Sequence, residues 1–159
     1  MALSWILNIL LFYAILVVVN ILAPFLGLKF DSGPEPRLSY APPGFIIPVV
    51  WFGLFALLGI ARYYLIQSGH KSFQWWLYGL AFLCAAYACY TLGLSQLTRV
   101  SALWFGLIEN IAVIIFAAFV VYKLFPVNKT AAYLTIPVII WTAFASIIVL
   151  GEMRLDKLI

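Results

Sequence analysis

Charge is scarce in this chain. Of its 159 residues only 9% are Asp, Glu, Lys or Arg, against 67% hydrophobic, and the mean hydropathy is +1.14. A soluble domain carries about 25% charged residues, so a water-soluble fold is excluded and a membrane protein is expected. The nine basic residues outnumber the five acidic ones, but they are scattered singly at the ends of apolar runs, where long stems reach toward headgroups. That distribution argues against a nucleic-acid footprint. Sulfur and imidazole are equally thin. Cys84 and Cys89 stand five apart in one apolar run and point in different directions on a helix, so neither a disulfide nor a metal site is expected. His70 is the one histidine. With no HExxH, no Gly-rich phosphate loop and no clustered ligands, a haem or zinc enzyme is not expected. No internal repeat, low-complexity tract or inverted-repeat signature of a secondary transporter is present. At about 20 residues per crossing, the length leaves no room for a soluble catalytic domain.

What remains is a set of long apolar runs, at about residues 3–28, 45–66, 73–97, 102–125 and 131–151. They predict an all-α integral membrane protein: one domain over residues 1–159, a five-helix transmembrane bundle with its termini on opposite sides. The first run lacks a basic leading region and a small-x-small cleavage signal, so it reads as a retained helix. Short links at residues 69–72, 98–101 and 126–130 suit antiparallel neighbours. The first connection, residues 29–44, is longer and holds Pro34, Pro36, Pro42 and Pro43 with Asp31, Glu35, Arg37 and Tyr40. It reads either as a lid over the bundle or as a Pro-stiffened linker. Lys29, Arg37, Arg99, Arg154 and Lys157 fall on one side and Arg62, Lys71, Lys123 and Lys129 on the other, which by the positive-inside count places the N-terminus outside.

Polar groups and helix breakers inside a crossing need a reason, because hydrocarbon offers no hydrogen bonds. Pro48 lies one turn into the second crossing and Pro137 at similar depth in the fifth, each removing a backbone donor. Trp51 and Trp141 follow them at helical spacing, and Phe55 and Ala145 extend the same faces. One reading is a cavity near the first loop, walled by aromatics and suited to a flat apolar ligand. The other is the interfacial aromatic belt common to membrane helices.

Glu109 and Asn110 form a polar pair well inside the fourth crossing. An intramembrane carboxylate is costly and is a functional candidate by default; it could take a proton, a cationic group or a structural partner. Ala81, Ala85, Cys89 and Gly93 make a small-residue stripe that fits a dimer seam or packing within one chain. Asn128-Lys129-Thr130 matches a glycosylation acceptor, but so close to the bilayer a helix N-cap by Asn128 or Thr130 is the better expectation.

The segment Tyr40-Ala41-Pro42-Pro43-Gly44-Phe45-Ile46-Ile47-Pro48-Val49-Val50-Trp51 and the segment Pro137-Val138-Ile139-Ile140-Trp141, followed by Ala145 and Glu152-Met153-Arg154, resemble two motifs of the TspO/MBR family. These are the tryptophan-rich sensory proteins, also called translocator proteins or peripheral benzodiazepine receptors. The resemblance covers nearly the whole chain. It implies a five-helix bundle, commonly a homodimer, that binds porphyrins or isoquinoline and benzodiazepine-type drugs under the first loop. It puts Trp51, Trp141 and Ala145 on ligand-pocket positions, Tyr40 where a loop tryptophan usually stands, and Pro42, Pro43, Pro48, Phe55, Cys84, Tyr87 and Pro137 in the same candidate site.

This chain departs from the family in the third and fifth crossings. Cys84 and Tyr87 stand where the family has Asn and Trp, with Cys89 in a proline position; Val138 replaces a Tyr and Val149 an Asn. The resemblance therefore implies a pocket more apolar than the family norm, and specificity in a greasy site rests on a few placed hydrogen bonds. No Tyr follows Tyr133, so cholesterol recognition is not expected. The leading expectation is a membrane protein that senses, sequesters or passes on a flat hydrophobic compound, with a porphyrin as a candidate ligand and no certain cofactor. The alternative is a structural or regulatory membrane subunit. Light-dependent porphyrin breakdown, reported for some members, is not expected with Cys84 and Val149 in place, and no catalytic residue is assigned. The expected partners are the lipid bilayer, a small hydrophobic ligand and a second copy of the chain. The expected location is a bacterial-type cytoplasmic membrane, with the mitochondrial outer membrane as the alternative.

Overall fold

The computed structural model describes residues 4–28 and 38–159. Lys29, Asp31, Pro34, Glu35, Pro36 and Arg37, and with them most of the first loop, lie outside the described residues. The protein is all-helical in its described part: α1 (Trp5–Phe25), α2 (Ile46–Gln67), a 3-10 turn (Lys71–Phe73), α3 (Gln74–Ala85), α4 (Tyr87–Thr98), α5 (Ala102–Leu124) and α6 (Lys129–Leu155). Four of these, α1, α2, α5 and α6, are each long and apolar enough to cross a membrane. Their outward residues are apolar too: Val18, Ile21, Leu22, Ile108, Ile115, Ile140 and Ile147 are all exposed. A surface of that kind is stable only against lipid, which makes the chain an integral membrane protein.

Helix starts follow the local chemistry. The Ser4 hydroxyl accepts from the Leu7 N–H, that of Ser101 from Leu103, and the Asn128 side-chain oxygen from the Ala131 N–H at 2.9 Å; each satisfies a donor that the first helical turn leaves free. Asn128 is thus a helix cap, as expected, and its amide also donates to the Tyr64 carbonyl and the Ser68 hydroxyl at the end of α2.

The third apolar run is not one helix. It divides at Ala86 into α3 and α4, which meet at a bend of 46°. No proline or glycine causes it. The side-chain amide of Asn20 on α1 donates to the Leu16 carbonyl at 2.8 Å and to the Ala85 carbonyl, the last of α3, at 3.5 Å. A side chain from a neighbouring helix that engages this backbone is a recognised origin of such breaks. By contrast α6 runs unbroken through Pro137.

The helices close a ring: α1 packs on α2, α2 on α6, α6 on α5, and the α3–α4 pair closes the gap between α5 and α1. The core they share includes Phe12, Phe55, Leu58, Leu77, Leu80, Ala117, Val120 and Val138. At the α1–α2 crossing the backbones nearly touch. A Cβ at Gly59 would stand 2.8 Å from the Ile9 Cα, a separation only glycine allows.

Candidate functional site

A cavity of about 320 Å³ opens between α1, α2 and the α3–α4 bend. Its walls are Leu16, Val17 and Asn20 of α1, Ile47, Pro48, Trp51 and Phe52 of α2, and Cys84, Ala85, Tyr87 and Ala88 around the bend. Val17, Ile47, Phe52 and Tyr87 are each exposed, so the cavity is open at the surface of the bundle. Local sequence explains the space. Pro48 sits in the first turn of α2, where a missing N–H costs nothing. The bend at Ala86 turns α4 away from the line of α3, and the small side chains of Ala85 and Ala88 leave the gap unfilled. The lining carries no Lys, Arg or His.

Of the residues expected from sequence, Pro48, Trp51, Cys84, Ala85 and Tyr87 meet at this cavity. The others stand elsewhere. Phe55 is 1% exposed and belongs to the core, where its ring meets that of Trp51 edge-on at 6.2 Å. Trp141 is partly buried on α6, with its ring 5.7 Å from Phe144; Trp141, Pro137 and Ala145 are not among the cavity walls. The Tyr40 hydroxyl and Leu38 lie over Gly151 near the end of α6, where a Cβ would collide with both. The described end of the first loop, which also holds Pro42 and Pro43, therefore rests on α6. Ala81 and Ala85 are buried in the chain's own core, and Gly93 faces Leu28. The bend separates Ala81 and Ala85 from the Cys89–Gly93 half of the stripe.

Among the cavity walls Leu16, Val17, Phe52 and Ala88 were not singled out in the sequence, and neither were two polar residues. Asn20 is one; its signal was an amide, one of two with Asn8, in a run without charge. Thr142 is the other.

Three further buried polar residues lie outside the cavity walls. Glu109 and Asn110 of α5 are 5% and 4% exposed, and Thr142 of α6 is 1% exposed. Neither carboxyl oxygen of Glu109, nor the Asn110 amide nitrogen, nor the Thr142 hydroxyl has a hydrogen-bond partner among the described residues. Glu109 lies within electrostatic reach of both Cys84 and Tyr87. The Tyr87 hydroxyl rests against Gly106, one turn before Glu109 on the same buried stripe of α5. No group of three or more His, Cys, Asp or Glu side chains capable of holding a metal ion occurs among the described residues.

The family model of the TspO/MBR family matches residues 12–153. The chain belongs to the TspO/MBR family. Comparison with curated proteins finds no match. The matched region of this TspO/MBR chain begins at the buried Phe12 of α1 and ends at the buried Met153 of α6, so it takes in every wall of the cavity and the Glu109 group.

Proposed function

We propose that this TspO/MBR protein is a single five-span domain, with α3 and α4 together forming one bent crossing, and that it binds a flat hydrophobic ligand, a tetrapyrrole or a lipid-like compound, in the cavity beside the first loop. The observation that carries this reading is the cavity itself: its Pro48, Trp51, Phe52 and Tyr87 walls offer ring faces for stacking, and its mouth is open at the surface of the bundle. A volume of about 320 Å³ lies at the lower end of the range for small-molecule sites, roughly 300–1,000 Å³. A ligand of two or three fused rings fills it, and a larger macrocycle extends through the open mouth. Cys84 and Tyr87 contribute contacts from the bend. Tyr40, Pro42, Pro43, Phe55, Pro137, Trp141 and Ala145 act from the loop, the core and α6 as supports of the same site. A homodimer in a bacterial-type cytoplasmic membrane completes the reading.

Protoporphyrin titrated into detergent-purified protein, followed by tryptophan quenching, tests it. Saturable quenching is expected, weakened in Trp51→Phe, abolished in Ala88→Trp, which fills the cavity, and nearly unchanged in Trp141→Phe. Linear quenching of equal slope in all four proteins rejects the site. A structural or regulatory subunit is then the better reading, which the apolar lining, with Asn20 as its one side-chain amide, favours.

A further inference from the structure

Glu109, Asn110 and Thr142 are each more than nine-tenths buried, and together they leave four polar atoms without partners among the described residues. Buried polar groups are hydrogen-bonded in the great majority of cases, and each exception calls for an explanation. Threonines elsewhere in this bundle bond a carbonyl one turn back: Thr91 donates to Tyr87 at 2.8 Å and Thr135 to Ala131 at 2.9 Å. Thr142 departs from that habit. The unmet atoms belong to two helices packed against each other. α5 and α6 pack along each other, and Gly106, Glu109, Asn110 and Val113 lie on the buried stripe of α5 as Val138 and Thr142 do on α6. Cys84 and Tyr87 line the cavity and lie within electrostatic reach of Glu109, and the Tyr87 hydroxyl rests against Gly106, one turn before Glu109 on α5.

We propose that Glu109, supported by Asn110 and Thr142, is the polar end of the cavity's ligand site. It is reached when the Tyr87 side chain swings from Gly106, and it selects flat apolar ligands that carry a nitrogen donor over those that carry a carboxylate. This inference rests on the reading of the cavity as a ligand site. A carboxyl accepts from an ammonium or a ring N–H, and a donor so placed supplies the partner that the fold withholds. An anionic ligand gains nothing comparable. The cavity lining holds no cation, and Arg62 is bonded to Asn8 and Gln74 toward the far end of α2.

Two three-ring fluorescent probes of similar shape separate the cases: 9-aminoacridine, a cation, and anthracene-9-carboxylate, an anion. Each is titrated in nonionic detergent into the wild type, Glu109→Gln and Ala88→Trp. The expected result is saturable binding of aminoacridine by the wild type, with the carboxylate at least about tenfold weaker. Glu109→Gln lowers aminoacridine affinity about tenfold, the size of one charge-assisted hydrogen bond, and brings the two probes together. Ala88→Trp removes both.

Equal affinities in the wild type overturn the selection without any variant, and therefore without any question of folding. An unchanged aminoacridine affinity in Glu109→Gln, with binding still lost in Ala88→Trp, overturns the role of Glu109 and leaves the cavity standing. Saturable binding that survives Ala88→Trp, or none in the wild type, overturns both.

Discussion

Two polar groups occupy opposite halves of this bundle. In the half away from the first loop, Arg62 of α2 donates from Nε to the Gln74 side-chain oxygen at 3.0 Å and from a terminal nitrogen to Asn8 of α1. Its guanidinium also lies 5.2 Å from the Tyr78 ring centroid. Three helices are thereby tied to one cation. Nearer the first loop, Glu109, Asn110 and Thr142 are buried as Asn8 is, yet four of their polar atoms are unmet among the described residues. Both groups bear the cost of removing polar atoms from water. Only the first recovers it within the fold. A polar cluster that satisfies itself reads as a staple between helices, and one that does not reads as a place kept for something else.

The sharpest way to break the comparison is to remove the staple. Arg62→Leu takes the guanidinium from Asn8, Gln74 and Tyr78 together, and hydrogen bonds to a charged group contribute about 1.5–3 kcal/mol each. A loss of about 3 kcal/mol is expected, seen as a lower thermal midpoint in detergent. Arg62→Lys should recover only part of it, because an ammonium cannot present the planar fork that reaches two acceptors on different helices. If Arg62→Leu leaves the midpoint where it was, the first group is no staple and the contrast fails.

A second substitution probes the same seam by sterics alone. In Gly59→Ala the new methyl would stand 2.8 Å from the Ile9 Cα and 2.9 Å from the Asn8 carbonyl oxygen. Backbone cannot retreat as a flexible side chain does, so α1 and α2 must separate, at a cost of about 2 kcal/mol within the usual range for overpacking. Because the shift carries Asn8 away from Arg62, the two substitutions should be less than additive in a double-mutant cycle. Full additivity would mean that the close approach at Gly59 and the Arg62 bonds are independent.

The sequence speaks to these features unevenly. Long charge-free runs require helices in lipid, and four runs, together with Pro48 beside Trp51, are legible from hydropathy and spacing. The bend is not. Ala85 and Ala86 are good helix formers, and the amide that engages the Ala85 carbonyl comes from Asn20, 65 residues earlier in the chain. Windowed periodicity cannot see it, so the small-residue stripe reads as continuous when the fold divides it. Pro137 is the converse case: it removes a backbone donor inside the fifth crossing, yet α6 continues through it. Glu109 and Asn110 announce themselves by cost alone, whereas Thr142 does not, since a threonine in a helix ordinarily satisfies itself on a carbonyl one turn back, and only the packed structure reveals the one that stands apart.

The smallest expected effect has the opposite sign and sharpens the comparison most. If Glu109 were a staple like Arg62, its removal would strand partners and destabilise the bundle. The structure gives it no hydrogen-bond partner to strand among the described residues, so what Glu109→Leu removes is mainly the burden of a buried carboxyl. Replacing unpaired or poorly paired buried polar groups with apolar ones of similar volume is often neutral or stabilising. A gain of about 1 kcal/mol is therefore expected for Glu109→Leu in ligand-free protein, with Glu109→Gln near neutral, both measured by thermal unfolding in the same detergent as Arg62→Leu. A residue that weakens the empty protein by its presence is retained for what it does when the protein is occupied, as sites that trade stability for activity commonly are. A clear fall in stability for Glu109→Leu would instead place the carboxyl beside a structural partner and make the two halves of the bundle alike.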